Sequence, residues 1–359
     1  MRYGLFMMPL HPPEKDPNRA YFDDIELLVR ADELGFGEAW IGEHLTAQWE
    51  SIPTPDLLIA NVLPRTRQIK LGTGVACLPN HEPSMLAHRI AFLDHLAQGR
   101  FLFGIGSGGF PGDFEMYEVD YQAGEQRDLT REAIDAILRL WTEPAPGIYE
   151  GKRFRFRVPE TDSHPGVRLH MKPFQRPHPP IAVAGVSKSS ETLRLAGERG
   201  WIPMSINFVP DTMLTSHWET IEQGAERTGQ VADRSEWRVA RDIYVAETTE
   251  QARREVREGA MTRAFEEYLL PLVSSTRQLA VFKNHPDMPT EAVTIDYLLD
   301  NVWIVGDPDE VTRKLRALHE GVGGFGPVLM LAYDWTPKER FYRSMELLAK
   351  EVMPRLADL

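Results

Sequence analysis

Residues 31–44 read ADELGFGEAWIGEH and lead from the end of an amphipathic helix into a short apolar strand. The preceding residues, 20–34, place apolar side chains at helical spacing, and Gly35 is the residue type that most often ends such a helix. The strand follows at once, over 38–42, with consecutive apolar side chains that are typical of a parallel sheet covered on both faces. A helix followed so closely by a buried strand predicts a repeating β-α unit.

The same alternation of strand and helix extends along the chain on both sides of this unit. Apolar runs predict eight strands, and helical periodicity predicts the helices between them. The predicted strands cover 3–8, 38–42, 69–78, 100–106, 180–184, 201–206, 237–246 and 328–332. The predicted helices cover 20–34, 84–96, 129–141, 189–198, 311–319 and 338–352. This order predicts an α/β protein with one (β/α)8 TIM-barrel domain over residues 1–359.

Two segments interrupt the alternation and are predicted to be insertions at the mouth of the barrel. Residues 143–179 are rich in Pro, Gly, His and Arg and are expected to be irregular. Residues 250–300 are expected to be mostly helical. A doubly wound open sheet is the competing architecture, and it is disfavoured because the first βα turn lacks the G-x-G-x-x-G loop that binds dinucleotides in such folds.

The composition is that of a soluble globular protein rather than of a membrane or nucleic-acid-binding protein. Of the 359 residues, 42% are apolar and 26% are charged, and the formal net charge of −13 disfavours nucleic acid and anionic membranes as partners. No apolar run approaches the length of a membrane span, and no signal-peptide pattern is found. The single cysteine, Cys77, excludes an intramolecular disulfide, so a reducing, cytoplasmic location is expected.

Catalytic groups of a TIM barrel lie at the C-terminal ends of its strands, and this rule selects His44 as a candidate catalytic residue. His44 is the only histidine that directly follows a predicted strand. Its imidazole could donate a hydrogen bond or exchange a proton near neutral pH. A histidine that merely packs under a loop is the alternative, and the local pattern by itself favours that alternative.

The turn Gly185-Val186-Ser187 is a candidate phosphate site. It joins the predicted strand over 180–184 to a helix, and Ser189 and Ser190 follow it. Backbone N–H groups and a helix N-terminus can hold a phosphate without a cationic side chain. An N-capping serine for the helix explains the same residues equally well.

Other kinds of catalytic machinery find no support in the sequence. No histidines stand at the spacing of zinc ligands, so no metal site is predicted, and no G-x-S-x-G nucleophile elbow is present. A chain so short of acid-base and nucleophilic motifs is expected to rely on a cofactor for its chemistry.

Sequence blocks along nearly the whole chain resemble the bacterial luciferase-like, reduced-flavin-dependent monooxygenases. The shared blocks are ADELGF at 31–36, WIGEH at 40–44, LGTGV at 71–75, LDHL at 93–96 and GIG at 104–106. Further blocks resemble the diketocamphane monooxygenases within this family. They are WESIP at 49–53, LAGER at 195–199, FEEYL at 265–269, DNV at 300–302 and VGDP at 305–308.

The resemblance implies a two-component monooxygenase. Such an enzyme takes reduced FMN (FMNH2) from a separate flavin reductase and reacts it with O2 to a flavin C4a-peroxide. The peroxide then oxygenates a small apolar substrate, and Baeyer–Villiger oxidation of a cyclic ketone is one such reaction. Members of the family are often homodimers, so a homodimer is expected here.

The resemblance also assigns roles to individual residues. His44 matches a histidine near the reactive edge of the flavin, and Ala76 matches a position whose backbone faces the isoalloxazine ring. Gly185-Val186-Ser187 matches the turn that binds the FMN phosphate. Ser107 is also expected to bind the flavin, at the position where the luciferase α subunit has a phosphate-binding arginine. A hydroxyl in place of that cation predicts weaker flavin binding. Leu45 stands where luciferase has a second histidine, so light emission is not expected.

An apolar substrate pocket is expected beside the flavin. Core packing is the competing explanation for each aromatic side chain proposed to line it. The candidates are Phe6, Trp49, Trp201 and Phe208. Two other functions stay open on the same fold: hydride transfer with the deazaflavin F420, and a non-catalytic flavin-binding barrel, against which the presence of His44 argues.

Overall fold

A computed structural model of the chain describes residues 1–142, 144–160, 165–166, 168–275, 279–283 and 287–359. Within these residues, strands and helices alternate along the chain. The strands are β1 (Tyr3–Leu10), β2 (Glu38–Ile41), β3 (Lys70–Thr73), β4 (Ala76–Cys77), β5 (Phe101–Gly106), β6 (Gly147–Glu150), β7 (Arg155–Val158), β8 (Ile181–Gly185), β9 (Ile202–Ser205), β10 (Arg238–Arg241), β11 (Ile243–Val245), β12 (Ile304–Gly306) and β13 (Val328–Tyr333).

The helices lie between and after these strands. They are α1 (Pro17–Glu33), α2 (Pro55–Val62), α3 (Pro83–Ala97), α4 (Pro111–Met116), α5 (Glu125–Trp141), α6 (Glu191–Arg199), α7 (Asp211–Arg227), α8 (Thr249–Glu258), α9 (Ala260–Ala264), α10 (Leu270–Ser275), α11 (Ile295–Asn301), α12 (Pro308–Gly321) and α13 (Glu339–Leu347). A π-helical turn over Phe265–Leu269 joins α9 to α10. Within the described ranges, no helix is both long and apolar enough to cross a membrane.

Parallel strands close into a barrel with eight positions. The strand order is β3-β2-β1-β13-β10-β9-β8-β5, and β5 pairs again with β3 to complete the ring. Every pairing in the ring is parallel. The predicted TIM barrel is therefore confirmed, and the C-terminal ends of all eight strands meet at one mouth.

The prediction of one continuous strand over 69–78 is wrong. The strand breaks at Gly74-Val75, whose peptide bond is cis, and continues as β4. Two glycines make room there for the buried ring of Trp40: a Cβ on Gly72 would lie 2.6 Å from the ring, and one on Gly74 would lie 2.8 Å from the Trp40 Cβ. The chain packs backbone against indole at this point, which a regular strand with side chains could not do.

The predicted strand over 237–246 is also two strands. β10 lies in the barrel, whereas β11 leaves it and pairs with β12 in a separate parallel sheet of two strands. The break falls at Asp242, a buried carboxylate that accepts hydrogen bonds from Asn207 and Tyr333. β12 is only three residues long and was not predicted.

The two insertions differ in structure. The first contains the antiparallel hairpin β6–β7, where the sequence predicted only irregular chain. Glu132 on α5 accepts hydrogen bonds from backbone N–H groups over 152–154, so the hairpin is fastened to the barrel wall. The second contains α8 to α11 and is mostly helical.

Two barrel helices, α2 and α7, lie outside the predicted helices. The second of these packs closely against α6 because both helices carry a glycine at the contact. A Cβ on Gly197 would lie 2.1 Å from the carbonyl oxygen of Ile221, and a Cβ on Gly224 would lie 2.1 Å from that of Arg194. Such close packing brings α7 alongside the turn that precedes α6.

Candidate active site

His44 lies at the mouth of the barrel, three residues beyond the end of β2. The N–H of Gly42 donates to the carbonyl of Met7 on β1, and the N–H of His44 donates to the carbonyl of Ile52, 3.0 Å away. The chain from 44 to 52 therefore forms a closed loop, and Gly42 ties its start to β1. The ring of Phe110 packs on the imidazole with a centroid distance of 4.1 Å.

Two buried carboxylates flank the imidazole. His44 Nε2 lies 3.2 Å from Glu50 Oε2, and Nδ1 lies 3.7 Å from Asp113 Oδ2. Burial alone would lower the pKa of His44, but the two negative charges outweigh burial and raise the pKa to about 9. His44 is therefore a cation at neutral pH, and its Nδ1 makes no hydrogen bond to any described residue.

Asp113 ties helix α4, which follows β5, to the loop that carries His44. Its carboxylate accepts hydrogen bonds from the N–H groups of Leu45 and Thr46 and from the Thr46 hydroxyl. Burial alone would raise the pKa of the Asp113 carboxyl, but His44 and these donors hold the pKa below its usual range. Asp113 thus stays ionised and has both a structural and an electrostatic role.

Glu50 connects His44 to the second insertion. The Tyr268 hydroxyl donates to Glu50 Oε1 over 2.7 Å, and the Tyr268 ring stacks on Trp49 at 5.8 Å. Burial, followed by the charge of Glu50, raises the pKa of Tyr268, so this hydroxyl keeps its proton. The insertion thereby covers the loop that bears His44.

The turn after β8 lies at the same end of the barrel as His44. Ser187, Lys188 and Ser189 are exposed, and α6 begins two residues later. Among the described residues, no group accepts a hydrogen bond from the N–H of Ser187 or Lys188. Ser190 occupies the N-cap position of α6, but its side chain makes no capping hydrogen bond. The alternative explanation of the turn, an N-capping serine, is therefore not supported by Ser190.

Ala76 and Ser107 lie at the C-terminal side of the barrel, as His44 does. Ala76 lies in β4, buried and in register with Ile105 of β5. Ser107 follows β5, and its hydroxyl accepts a hydrogen bond from Thr130 on α5 over 2.9 Å. The Ser107 hydroxyl is thus directed by α5.

The four aromatic candidates for a substrate pocket do not lie together. Trp49 is at the mouth beneath Tyr268, and Phe208 follows β9 there and packs on Phe282 of the second insertion at 5.3 Å. Phe6 is buried within β1. Trp201 precedes β9, so it lies at the opposite, N-terminal end of the barrel. Its expected place in the pocket is wrong, because a residue before a parallel strand cannot line the C-terminal mouth.

Three residues of this site were missed by sequence reasoning: Glu50, Asp113 and Tyr268. Glu50 and Tyr268 lie in the blocks WESIP and FEEYL, whose resemblance to relatives was noted without a role for either residue. Asp113 had no such signal. No group of three or more His, Cys, Asp or Glu side chains in the described part of the chain is placed to share a metal ion.

Comparison with known proteins supports a common origin with flavin enzymes. The luciferase-like monooxygenase family model matches residues 1–323. The chain is 35% identical to 4-hydroxyprotoasukamycin monooxygenase of Streptomyces nodosus subsp. asukaensis, over 98% of this chain and 91% of that protein. It is 32% identical to 3,6-diketocamphane 1,6-monooxygenase of Pseudomonas putida, over 99% of this chain and 98% of that protein.

A solved structure gives the same result in three dimensions. The oxygenating constituent of 3,6-diketocamphane monooxygenase from Pseudomonas putida, a type II Baeyer–Villiger monooxygenase in complex with FMN, superposes with a TM-score of 0.92. The two sequences are 33% identical, and the match covers 99% of this chain and 98% of that one.

Proposed function

The chain belongs to the luciferase-like monooxygenase family and is a flavin-dependent monooxygenase, and we propose that it is the oxygenating component of a two-component system. In this proposal a separate flavin reductase supplies reduced FMN, and the barrel uses it with O2 to oxygenate a small apolar substrate. The observation that carries the proposal is His44, a cationic imidazole held between two buried carboxylates at the barrel mouth.

The residues at the mouth fit FMN. The free N–H groups of Ser187 and Lys188, with the exposed hydroxyl of Ser187 and the start of α6, suit a phosphate. Ala76 in β4 has only a methyl side chain, so a flat ring could approach the backbone there. When bound, reduced FMN supplies the electrons that activate O2.

His44 is proposed to stabilise negative charge on the activated oxygen and to hold or release a proton at Nδ1. Because its pKa is about 9, the imidazole carries that proton throughout the neutral range. Glu50 and Asp113 keep the ring charged and fix its orientation. The chain thus contributes an oriented cation and a site that excludes water.

The substrate is proposed to be a compact apolar molecule with a carbonyl group. Trp49 and Phe208 lie at the mouth, and both pack against aromatic side chains of the second insertion. These rings offer dispersion contacts and few hydrogen bonds. One relative is named for diketocamphane, and its structure is that of a type II Baeyer–Villiger monooxygenase. Cyclic ketones, and hence Baeyer–Villiger oxidation, are therefore the first class to test.

A homodimer is proposed from an apolar stripe on the barrel exterior. Leu57 on α2 and Met85, Phe92 and Leu96 on α3 are each more than half exposed, and the last three share one face of their helix. The neighbouring helices α2 and α3 would bury this stripe against a second copy. Size-exclusion chromatography with light scattering tests this: Phe92→Asp should give monomers, and a monomeric unmodified protein would contradict the proposal.

The decisive test compares the unmodified protein with His44→Ala. Each is supplied with a flavin reductase, NADH, FMN and a panel of cyclic ketones, and product and hydrogen peroxide are measured per NADH oxidised. We expect His44→Ala to lose product by at least about 100-fold while peroxide rises, since acid-base assistance contributes about that much. A normal product yield would overturn the role of His44, and tighter binding of F420 than of reduced FMN would overturn the cofactor. We also propose a cytoplasmic location, which the free, buried thiol of Cys77 fits.

A further inference from the structure

Two consecutive residues of helix α7 make hydrogen bonds to the backbone of the candidate phosphate turn. His217 Nε2 lies 3.1 Å from the carbonyl oxygen of Ser187, and Ser216 Oγ accepts a hydrogen bond from the N–H of Ser189 over 3.3 Å. We propose that Ser216 and His217 are positioning residues that orient this turn for the phosphate of FMN. This inference rests on the proposed function and adds to it a specific determinant of cofactor affinity.

The hydrogen-bond partners determine which nitrogen of His217 carries the proton. A carbonyl oxygen only accepts, so Nε2 must donate to Ser187. Burial, with the nearby cation of Arg241, lowers the pKa of His217 to about 4, although the Ser187 carbonyl opposes this. His217 is therefore neutral, and its Nδ1 carries no proton and can only accept a hydrogen bond.

Ser205 supplies that hydrogen bond. Its hydroxyl lies 2.8 Å from His217 Nδ1, and its oxygen accepts a hydrogen bond from Trp237 Nε1 over 3.0 Å. The indole N–H can only donate, so the Ser205 hydroxyl must direct its own proton to His217. A relay in a single direction thus runs from Trp237 through Ser205 and His217 to the Ser187 carbonyl, and its members other than Ser187 are fully or almost fully buried.

The relay decides which backbone groups of the turn remain for a ligand. In a trans peptide the C=O and the next N–H point in opposite directions. Because the Ser187 carbonyl points toward α7, the N–H of Lys188 points away from α7, and no described residue accepts it. The N–H of Ser189 is already used by Ser216. The N–H of Lys188 therefore stays available for the phosphate, together with the N–H of Ser187.

The experiment measures binding of oxidised FMN and of riboflavin, which lacks the phosphate, by fluorescence quenching. His217→Phe fills the same space without hydrogen bonds and should weaken FMN binding by roughly tenfold while leaving riboflavin binding unchanged. His217→Gln can donate to Ser187 and accept from Ser205, so it should restore most of the FMN affinity. Ser216→Ala provides a milder second variant, with a loss of a few-fold for FMN only.

His319→Phe is the matched control. His319 is also a helical histidine whose Nε2 contacts a backbone carbonyl, that of Phe325 at 3.2 Å, but it lies on α12 away from the turn. The variant should leave the affinities for FMN and riboflavin unchanged. Equal losses of FMN and riboflavin in the His217 and Ser216 variants, or no loss in either, would overturn the positioning role. An unmodified protein that binds FMN no better than riboflavin would overturn the phosphate turn itself, and with it the proposed cofactor.

Discussion

Replacing Glu50 by Gln removes one of the two charges that keep His44 cationic and leaves the size of the side chain unchanged. The pKa of His44 is about 9 against an ordinary value of about 6.5, which corresponds to a net stabilisation of the imidazolium by about 3–4 kcal/mol at about 1.4 kcal/mol per unit. This net value already includes the opposing effect of burial, so the carboxylates contribute more than this.

The distances divide that contribution between the two carboxylates. At an effective dielectric constant of about 20, a unit charge attracts His44 by about 5 kcal/mol at the 3.2 Å of Glu50 and by slightly less at the 3.7 Å of Asp113. The attraction lost with the Glu50 charge is therefore larger than the net stabilisation of the imidazolium. We expect the pKa of His44 in Glu50→Gln to fall to about 6.5 or below, so that the imidazole is neutral at pH 7.5.

The assay is a single turnover with pre-reduced FMN across the pH range, with product per flavin as the readout. The unmodified protein should give a constant yield from pH 6 to 8 and lose it as pH rises through about 9, where His44 loses its proton. Glu50→Gln should lose its yield near pH 6.5 and recover it on acidification. Glu267→Gln is the control, because this exposed carboxylate is next to Tyr268 in sequence but pairs with Arg263. Superimposable profiles for Glu50→Gln and the unmodified protein would refute the electrostatic argument.

Three further changes test the site and the fold. Tyr268→Phe loses its hydrogen bond to Glu50 but keeps its ring, so the hydrogen peroxide released per product should rise by roughly tenfold while FMN affinity stays unchanged. Unchanged peroxide release would contradict the role of the second insertion as a cover. Gly104→Ala would place a Cβ 1.9 Å from a backbone oxygen of the neighbouring strand and should lower the free energy of unfolding by about 3 kcal/mol, whereas Gly321→Ala, whose Cβ meets no atom within 4 Å, should not lower it. His11 has a pKa raised to about 9: burial would lower it, but two carboxylates outweigh burial, so its stabilisation is complete below about pH 6.5 and lost as pH rises through 9. The free energy of unfolding relative to His11→Gln should therefore fall by about 3 kcal/mol over that range in denaturant titrations, and parallel pH curves would contradict this.

Much of the architecture could be predicted because its signals are local. Apolar runs and helical periodicity located all eight barrel strands, and the rule that active sites lie at strand C-termini selected His44. The errors have physical causes as well. The strand over 69–78 is broken where Gly72 packs against the ring of Trp40 and Gly74 against its Cβ, and these contacts join two different strands. Trp201 was assigned to the pocket for its aromatic character, although the predicted strand over 201–206 already placed it at the N-terminal end, away from the mouth.

The barrel, the family and the position of His44 could all be predicted, since each depends on short patterns along the chain. The protonation state of His44 depends instead on contacts that form only in the folded protein. Its charge depends on Glu50 and Asp113, and Glu50 is in turn held by Tyr268, 218 residues further along the chain. The protonation state of His217 likewise depends on the fold, since the carbonyl that it contacts is 30 residues away in sequence. Electrostatic and hydrogen-bond energies depend on distance and burial, and both are set only when the closed barrel brings these segments together.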